Sequence, residues 1–132
     1  MTSLSKEFNP GSREKTMISN TDKLYIITRR DLSPAQQAVQ AIHAACEFAE
    51  NYKDLFVSWR SISDYVCLLA VHDETSLLKL LRKVREKNLD YSWFCEPDLE
   101  GALTAIALAP GSRSKSFCKN MRLALDDVVS IR

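Results

Sequence analysis

Two continuous apolar runs, each followed by a helical pattern, constrain this chain more than any other feature. Leu24-Tyr25-Ile26-Ile27-Thr28 and Tyr65-Val66-Cys67-Leu68-Leu69-Ala70-Val71 do not alternate with polar residues. Unbroken β-branched and aromatic stretches of this length mark strands covered on both faces. After the first run, Ser33-Pro34 supplies a helix N-cap and a proline suited to the first helical position. Ala35, Val39, Ile42, Cys46 and Ala49 then recur every three or four residues, which predicts a helix to about Asn51 with this stripe turned inward. A connection containing Phe56 and Trp59 leads to the second run. Asp73 is placed to cap the next helix, where Leu77, Leu80, Leu81 and Val84 form an apolar stripe. Lys83, Arg85 and Lys87 gather near its end and complement the helix dipole. Tyr91–Cys95 reads as a third strand, stopped by Glu96-Pro97-Asp98, and Gly101–Ala109 as a fourth, stopped by Pro110-Gly111. A polar segment, Arg113–Asn120, precedes a weak last strand at Met121–Leu125. Strands alternating with helices imply parallel pairing, and the closely spaced third and fourth strands an antiparallel pair. The expected fold is α/β, a small mixed sheet of four to five strands covered by helices.

Composition sets the bounds. The 132 residues fit one domain, expected over residues 22–125, between an N-terminal tail (1–21) and a C-terminal one (126–132). Met17 offers a second start. Hydrophobic residues at 45% suffice for a core without disulfide or metal staples. Eighteen Lys and Arg against 17 Asp and Glu give a net charge of +1, so nothing global points to DNA, RNA or an anionic membrane. An interaction with nucleic acid must rest on a local basic face. Cys46, Cys67, Cys95 and Cys118 stand far apart, outside any zinc, thioredoxin or haem spacing. No signal-peptide pattern opens the chain and no apolar run approaches a membrane span, so free thiols in the cytoplasm are expected.

Chemistry is concentrated on the first helix and at the strand ends. Gln36, Gln40, His43 and Glu47 share one helical face. Such a row either lines a cleft or forms the wet edge of an amphipathic helix. His43 and Cys46 supply two metal-ligand types at i, i+3, but no second pair completes a set, and Cys46 falls on the stripe expected to be buried and inert. Ligands in open α/β sheets collect beyond the carboxyl ends of parallel strands. That rim carries Asp31, His72-Asp73 and Glu96-Pro97-Asp98. Asp73 has work as a helix cap, whereas Glu96 and Asp98 are either site carboxylates or a solvated turn. Thr104, polar within an apolar strand, either satisfies a neighbour or faces the cleft. Arg29-Arg30 and the group Arg113, Lys115, Lys119 and Arg122 lack the glycines of a phosphate loop. They are solvated loop ends or, if they share a face, a surface that tracks phosphates.

These residues also carry a family resemblance. Arg30-Asp31-Leu32 followed by Val39-Gln40-Ala41-Ile42-His43-Ala44-Ala45 resembles the opening of the type 2 peptidyl-tRNA hydrolases. The likeness continues through Asp73-Glu74-Thr75-Ser76-Leu77 and ends in Leu103-Thr104-Ala105-Ile106-Ala107-Leu108-Ala109-Pro110-Gly111, covering about Lys23 to Leu125. It implies a small α/β enzyme that cleaves the ester between a peptide and tRNA without metal or organic cofactor. Gln40, His43, Asp31 and Thr104 match family positions in or near the site. Asp98 or Glu96 is nearest to the family's acidic loop residue. The family's G-K-G-K at the helix start is absent: its second lysine falls on Gln36 and its first on Pro34. This chain resembles a divergent branch that lacks those lysines and has a shortened acidic loop.

Taken together, the residues and the resemblance lead to one main expectation. His43, Glu96, Asp98 and Thr104 are the catalytic candidates. Gln36, Gln40, Asp31, Arg29 and Arg30 are the substrate-binding candidates. The expected partner is tRNA, with no metal, DNA or membrane, and a homodimer is left open. The competing expectations are a non-catalytic member of the fold that binds RNA or a protein, and a small-molecule esterase.

Overall fold

The computed structural model describes residues 17–126. Residues 1–16 of the expected N-terminal tail and 127–132 of the C-terminal one lie outside the described residues. Five strands and four helices follow in the order β1 (Lys23–Arg29), α1 (Pro34–Asn51), α2 (Lys53–Ile62), β2 (Tyr65–Val71), α3 (Glu74–Glu86), β3 (Tyr91–Glu96), β4 (Ala102–Leu108), α4 (Ser112–Cys118) and β5 (Arg122–Leu123), with a 3-10 turn at Pro97–Leu99. The strands form one mixed sheet in the order β3-β4-β1-β2-β5. β1 and β2 are parallel, and β4 runs antiparallel to both β1 and β3. β1, β2 and β3 therefore point the same way, and their carboxyl ends share one rim.

The alternation of the strands splits the core into two layers. Leu24, Ile26, Ala105 and Ala107 face Ala41, Ala44 and Phe48 of α1 and Trp59 of α2. Tyr25, Ile27, Ile106 and Leu108 face Leu77, Leu81 and Val84 of α3. The expected caps are in place: the Ser33 side chain accepts from Gln36 N at 3.1 Å and Asp73 Oδ1 from Ser76 N at 2.9 Å. Each satisfies one of the N–H groups that a helix start leaves unpaired.

The structure departs from the sequence pattern, or makes it definite, in four places. The segment read as a connection after Asn51 contains the helix α2. Leu55, Phe56 and Trp59 fall on one face of it and pack against the α1 layer, and Trp59 Nε1 donates to Tyr65 O at 3.0 Å. The polar segment Arg113–Asn120, where the order of elements leaves room for a short helix before the last strand, is largely the helix α4, pinned by the burial of Ser114 and Cys118. The first half of β2 is open rather than covered, with Tyr65 56% and Val66 55% exposed.

The fourth departure is the largest. α1 is rotated from the orientation that its apolar stripe predicts. Ala35, Val39, Ile42 and Cys46 face solvent and Ala49 is half-buried, while Gln37, Gln40, Ala41, Ala44 and Phe48 face the sheet. Shape explains this. Ala41 and Ala44 lie against Ala105 and Ala107, so helix and sheet approach closely, and Phe48, the helix's largest apolar side chain, is fully buried. The buried amides are admitted because they are bonded. Gln37 Nε2 donates to Leu32 O at 2.8 Å, though its Oε1 has no partner among the described residues. Gln40 is fully satisfied, as set out below. Cys46 is consequently an exposed thiol rather than a core residue. Cys118, inside α4, is the buried one, and desolvation pushes its pKa up to about 12.

Candidate active site

The site grows from an irregularity in β4. Phe94 pairs with Ala105 and Cys95 with Leu103, so Thr104 is passed over in the ladder. This is a β-bulge, which adds a residue to one strand and re-aims its side chain. Leu103 keeps its place in the α3 layer and Ala105 in the α1 layer. Strict alternation from Ala105 would point Thr104 at α3, but the bulge turns it toward α1. The backbone groups around the bulge are bonded by side chains: Thr28 Oγ1 donates to Thr104 O at 2.9 Å, Arg29 Nη1 to Leu103 O at 3.0 Å, and Leu103 N to Glu74 Oε2 at 3.0 Å. Buried peptide groups outside a ladder need such partners.

Thr104 Oγ1 sits 2.7 Å from Gln40 Oε1 and 3.2 Å from Phe94 O. Gln40 Nε2 donates to Glu96 Oε1 at 2.8 Å and to Gln36 Oε1 at 2.9 Å. Donor chemistry fixes the direction of this network. An ionised carboxylate only accepts, so Gln40 must turn its NH₂ to Glu96 and its oxygen to the Thr104 hydroxyl. The second N–H of Gln40 takes the oxygen of Gln36, leaving the exposed Gln36 with its amide nitrogen unengaged within the described residues. A buried amide with every polar group bonded costs little, whereas leaving any of them unpaired costs about 1–3 kcal/mol.

Glu96 is held at both oxygens, because Asp98 N donates to Oε2 at 3.0 Å where the 3-10 turn begins. The backbone bond from Asp98, then the bond from Gln40, with a contribution from nearby His43, hold the Glu96 carboxyl below its ordinary pKa. The corner closes through Glu100 and Gly101, both at positive φ, and Gly101 N bonds Glu96 O at 2.9 Å. His43, exposed on α1, stacks on Phe94 with ring centroids 4.3 Å apart and planes 15° apart. Thus the imidazole, the Glu96 carboxylate and the outward amide of Gln36 are presented together at the carboxyl end of β3.

The remaining sequence candidates are placed differently. Gln40 and Thr104 belong to the cluster but have no exposed surface, so neither meets a substrate in this structure. Gln40 holds the half-buried Glu96 and the exposed Gln36, and Thr104 holds Gln40. Asp98 is exposed beside Glu96. Arg29, next in alternation to Thr28, reaches the α3 side of the sheet. It pairs there with Asp31 through Nε–Oδ1 at 3.0 Å and Nη2–Oδ2 at 2.9 Å. That bidentate bond raises the pKa of Arg29 and lowers that of Asp31. Both residues are committed to anchoring the bulge and the end of β1, apart from the His43 cluster. Arg30 Nη2 donates to Leu123 O at 3.2 Å and so fastens β5. Phe94 and Thr28 went unnoticed in the sequence. Phe94 was within reach of simple alternation, because residues 92, 94 and 96 share a face with Glu96. The role of Thr28 depends on the bulge, which no local pattern announces.

Among the described residues, no group of three or more His, Cys, Asp or Glu could hold a metal ion, and no helix is long and apolar enough to cross a membrane. What fold and cluster define is a small α/β domain with an acid, an imidazole and an amide donor at its strand-end rim. The family model of peptidyl-tRNA hydrolase PTH2 matches residues 22–123, and the chain belongs to that family. A search of curated proteins finds no match. Among solved structures, the chain is similar to a protein of unknown function from Agrobacterium tumefaciens, with a TM-score of 0.58 at 14% identity, covering 77% of this chain and 96% of that one. At that identity the likeness speaks to the fold alone. At family level the chain is peptidyl-tRNA hydrolase-like.

Proposed function

We propose that this protein hydrolyses the ester joining a peptide, or an N-blocked aminoacyl group, to the terminal ribose of tRNA. The observation that carries this is the Gln40-centred network, which holds Glu96 and Gln36 at the rim where His43 stacks on Phe94, in a chain of this family. In this reading His43 takes a proton from water as the water oxygen attacks the ester carbonyl carbon. The Gln36 amide donates to the carbonyl oxygen as negative charge develops there. The carbon–ribose oxygen bond then breaks, and the ribose oxygen recovers a proton from the imidazolium. Glu96, kept ionised, favours that imidazolium, and Asp98 adds a second carboxylate beside it. Gln40 and Thr104 are positioning residues. The resident compartment is proposed to be the cytoplasm, where peptidyl-tRNA arises.

Purified protein incubated with N-blocked aminoacyl-tRNA should release deacylated tRNA, and His43→Ala should slow release by about 10²-fold or more, the usual scale of general-base catalysis. Absence of release at high protein concentration would remove the catalytic claim. A second reading, a non-catalytic RNA-binding member, draws on Gln36, which offers a neutral donor where the resemblance places a lysine. A salt-sensitive shift of tRNA without turnover would favour it.

A further inference from the structure

The cations are segregated on one side of the sheet. Lys79, Arg82, Lys83 and Arg85 on α3 and Lys87 just after it are all exposed. So are Arg113, Lys115 and Lys119 on or just beyond α4. Over 74–87 and 112–119 these eight meet two acids, Glu74 and Glu86, giving this layer +6 in a chain whose total is +1. Over 34–62 the α1–α2 layer carries only Lys53 and Arg60 against Glu47, Glu50 and Asp54. Helix dipoles account for part of the α3 group, since Lys83 and Arg85 occupy its last turn. They do not account for Lys79 and Arg82, which lie further back. The two ion pairs within the described residues, Arg29–Asp31 and Arg60–Asp64, involve none of the eight.

The layer is also concave. A groove of about 710 Å³ runs between the end of α3 and α4, lined by Leu89 and Phe117 with Lys87, Arg113, Ser112 and Ser116. Glu86 is the one carboxylate in it. Arg113 is fixed across the groove by bonds to Lys87 O and Asn88 O. Arg85 is held by Tyr91 Oη at 2.7 Å, with its guanidinium 5.8 Å from the Tyr91 ring centroid and 5.6 Å from that of Trp93. Two of the cations are thus preorganised rather than freely solvated.

We infer that the α3–α4 layer is a docking surface for the phosphate backbone of a folded RNA. Clustered cations outside any ion pair, two of them (Lys87 and Arg113) at the edge of a groove, attract a polyanion and release its counterions. Nucleic acid is favoured over a membrane because large exposed apolar side chains are nearly absent from α3 and α4, Leu78 at 41% being the exception, so nothing is available to insert between lipids. The choice of tRNA as the RNA rests on the proposed function. The surface itself does not, because it lies across the sheet from the His43 cluster.

The test compares two charge reversals of equal size in the full chain, Lys115→Glu/Lys119→Glu in the basic layer and Lys53→Glu/Arg60→Glu on α2. Deacylated tRNA binding is measured over a range of salt concentrations, with thermal melting to confirm folding. The basic-layer pair should weaken binding by about tenfold or more and flatten the salt slope by about two, while the α2 pair leaves both near the wild-type values. Equal losses from both pairs, or none from either, would overturn the inference. So would wild-type protein that binds phosphatidylserine vesicles but not tRNA. Binding of deacylated tRNA needs no ester cleavage, so a failed release assay with a surviving location effect would sink the proposed function alone.

Discussion

The α3 layer meets the sheet through Leu77, Leu81 and Val84 packed on Ile27, Ile106 and Leu108, whereas α1 meets it through Gln40, Ala41, Ala44 and Phe48 beside Thr104, Ala105 and Ala107. The first contact is branched apolar volume, non-directional and worth roughly 1.5–3 kcal/mol for each fully buried side chain. The second uses small residues for close approach and a hydrogen-bonded amide at its centre. Apolar packing resists deformation but points nowhere in particular. The directional bonds of Gln40 hold a half-buried carboxylate and orient an exposed amide. The layer that supplies rigid mass is thus distinct from the layer that presents polar groups, although both close on the same bulged strand.

This division can be broken by mutation. The largest effect on stability is expected from Leu81→Ala. Its side chain is fully buried, and truncation should cost about 3 kcal/mol in denaturant unfolding. Ester cleavage per folded molecule should be retained. Gln40→Met, similar in shape but apolar, should cost about 1–2 kcal/mol, because Thr104 keeps Phe94 O as an acceptor and Glu96 keeps the Asp98 N–H. Its cleavage rate should nevertheless fall more than that of Leu81→Ala when both are measured folded. The reverse order would show that the site depends on the whole core and not on the α1 network. The smallest effect is expected from Ile42→Ser. Although Ile42 stands on the most apolar stripe of α1, it is 62% exposed, so unfolding should shift by no more than about 0.5 kcal/mol.

That last comparison locates the failure of sequence patterning. In α3 the buried positions Leu77, Leu81 and Val84 all lie on the predicted apolar stripe, with Leu80 half-buried beside them and only Leu78 among the leucines turned to solvent. In α1 the stripe Ala35, Val39, Ile42, Cys46 and Ala49 is only moderately apolar, and the opposite face carries amides that a hydropathy count sends to solvent. Partners supplied by Leu32, Thr104 and Glu96, up to 64 residues away in the chain, reverse the outcome. Candidate residues could be named from spacing, since Gln36, Gln40 and His43 fall on one helical edge. Which of them touch solvent and which only hold others could not, because burial depends on the helix's rotation. Arg29 and Asp31 looked like site residues from their place at a strand end. In the fold they pair with each other, and Arg29 also bonds the bulge backbone, apart from the His43 cluster.

Local chemistry in the chain was enough to determine the strands β1 to β4, the capped starts of α1 and α3, the parallel pairing of β1 with β2, the antiparallel pairing of β3 with β4 and the rim where acids collect. Each of these follows from propensity, periodicity or a cap acting over a few residues. The rotation of α1, the bulge at Thr104, the helix α2 and the gathering of cations on one layer were decided only in three dimensions. Each depends on which distant group completes a hydrogen bond or fills a volume, and that partner is absent from any short window of sequence.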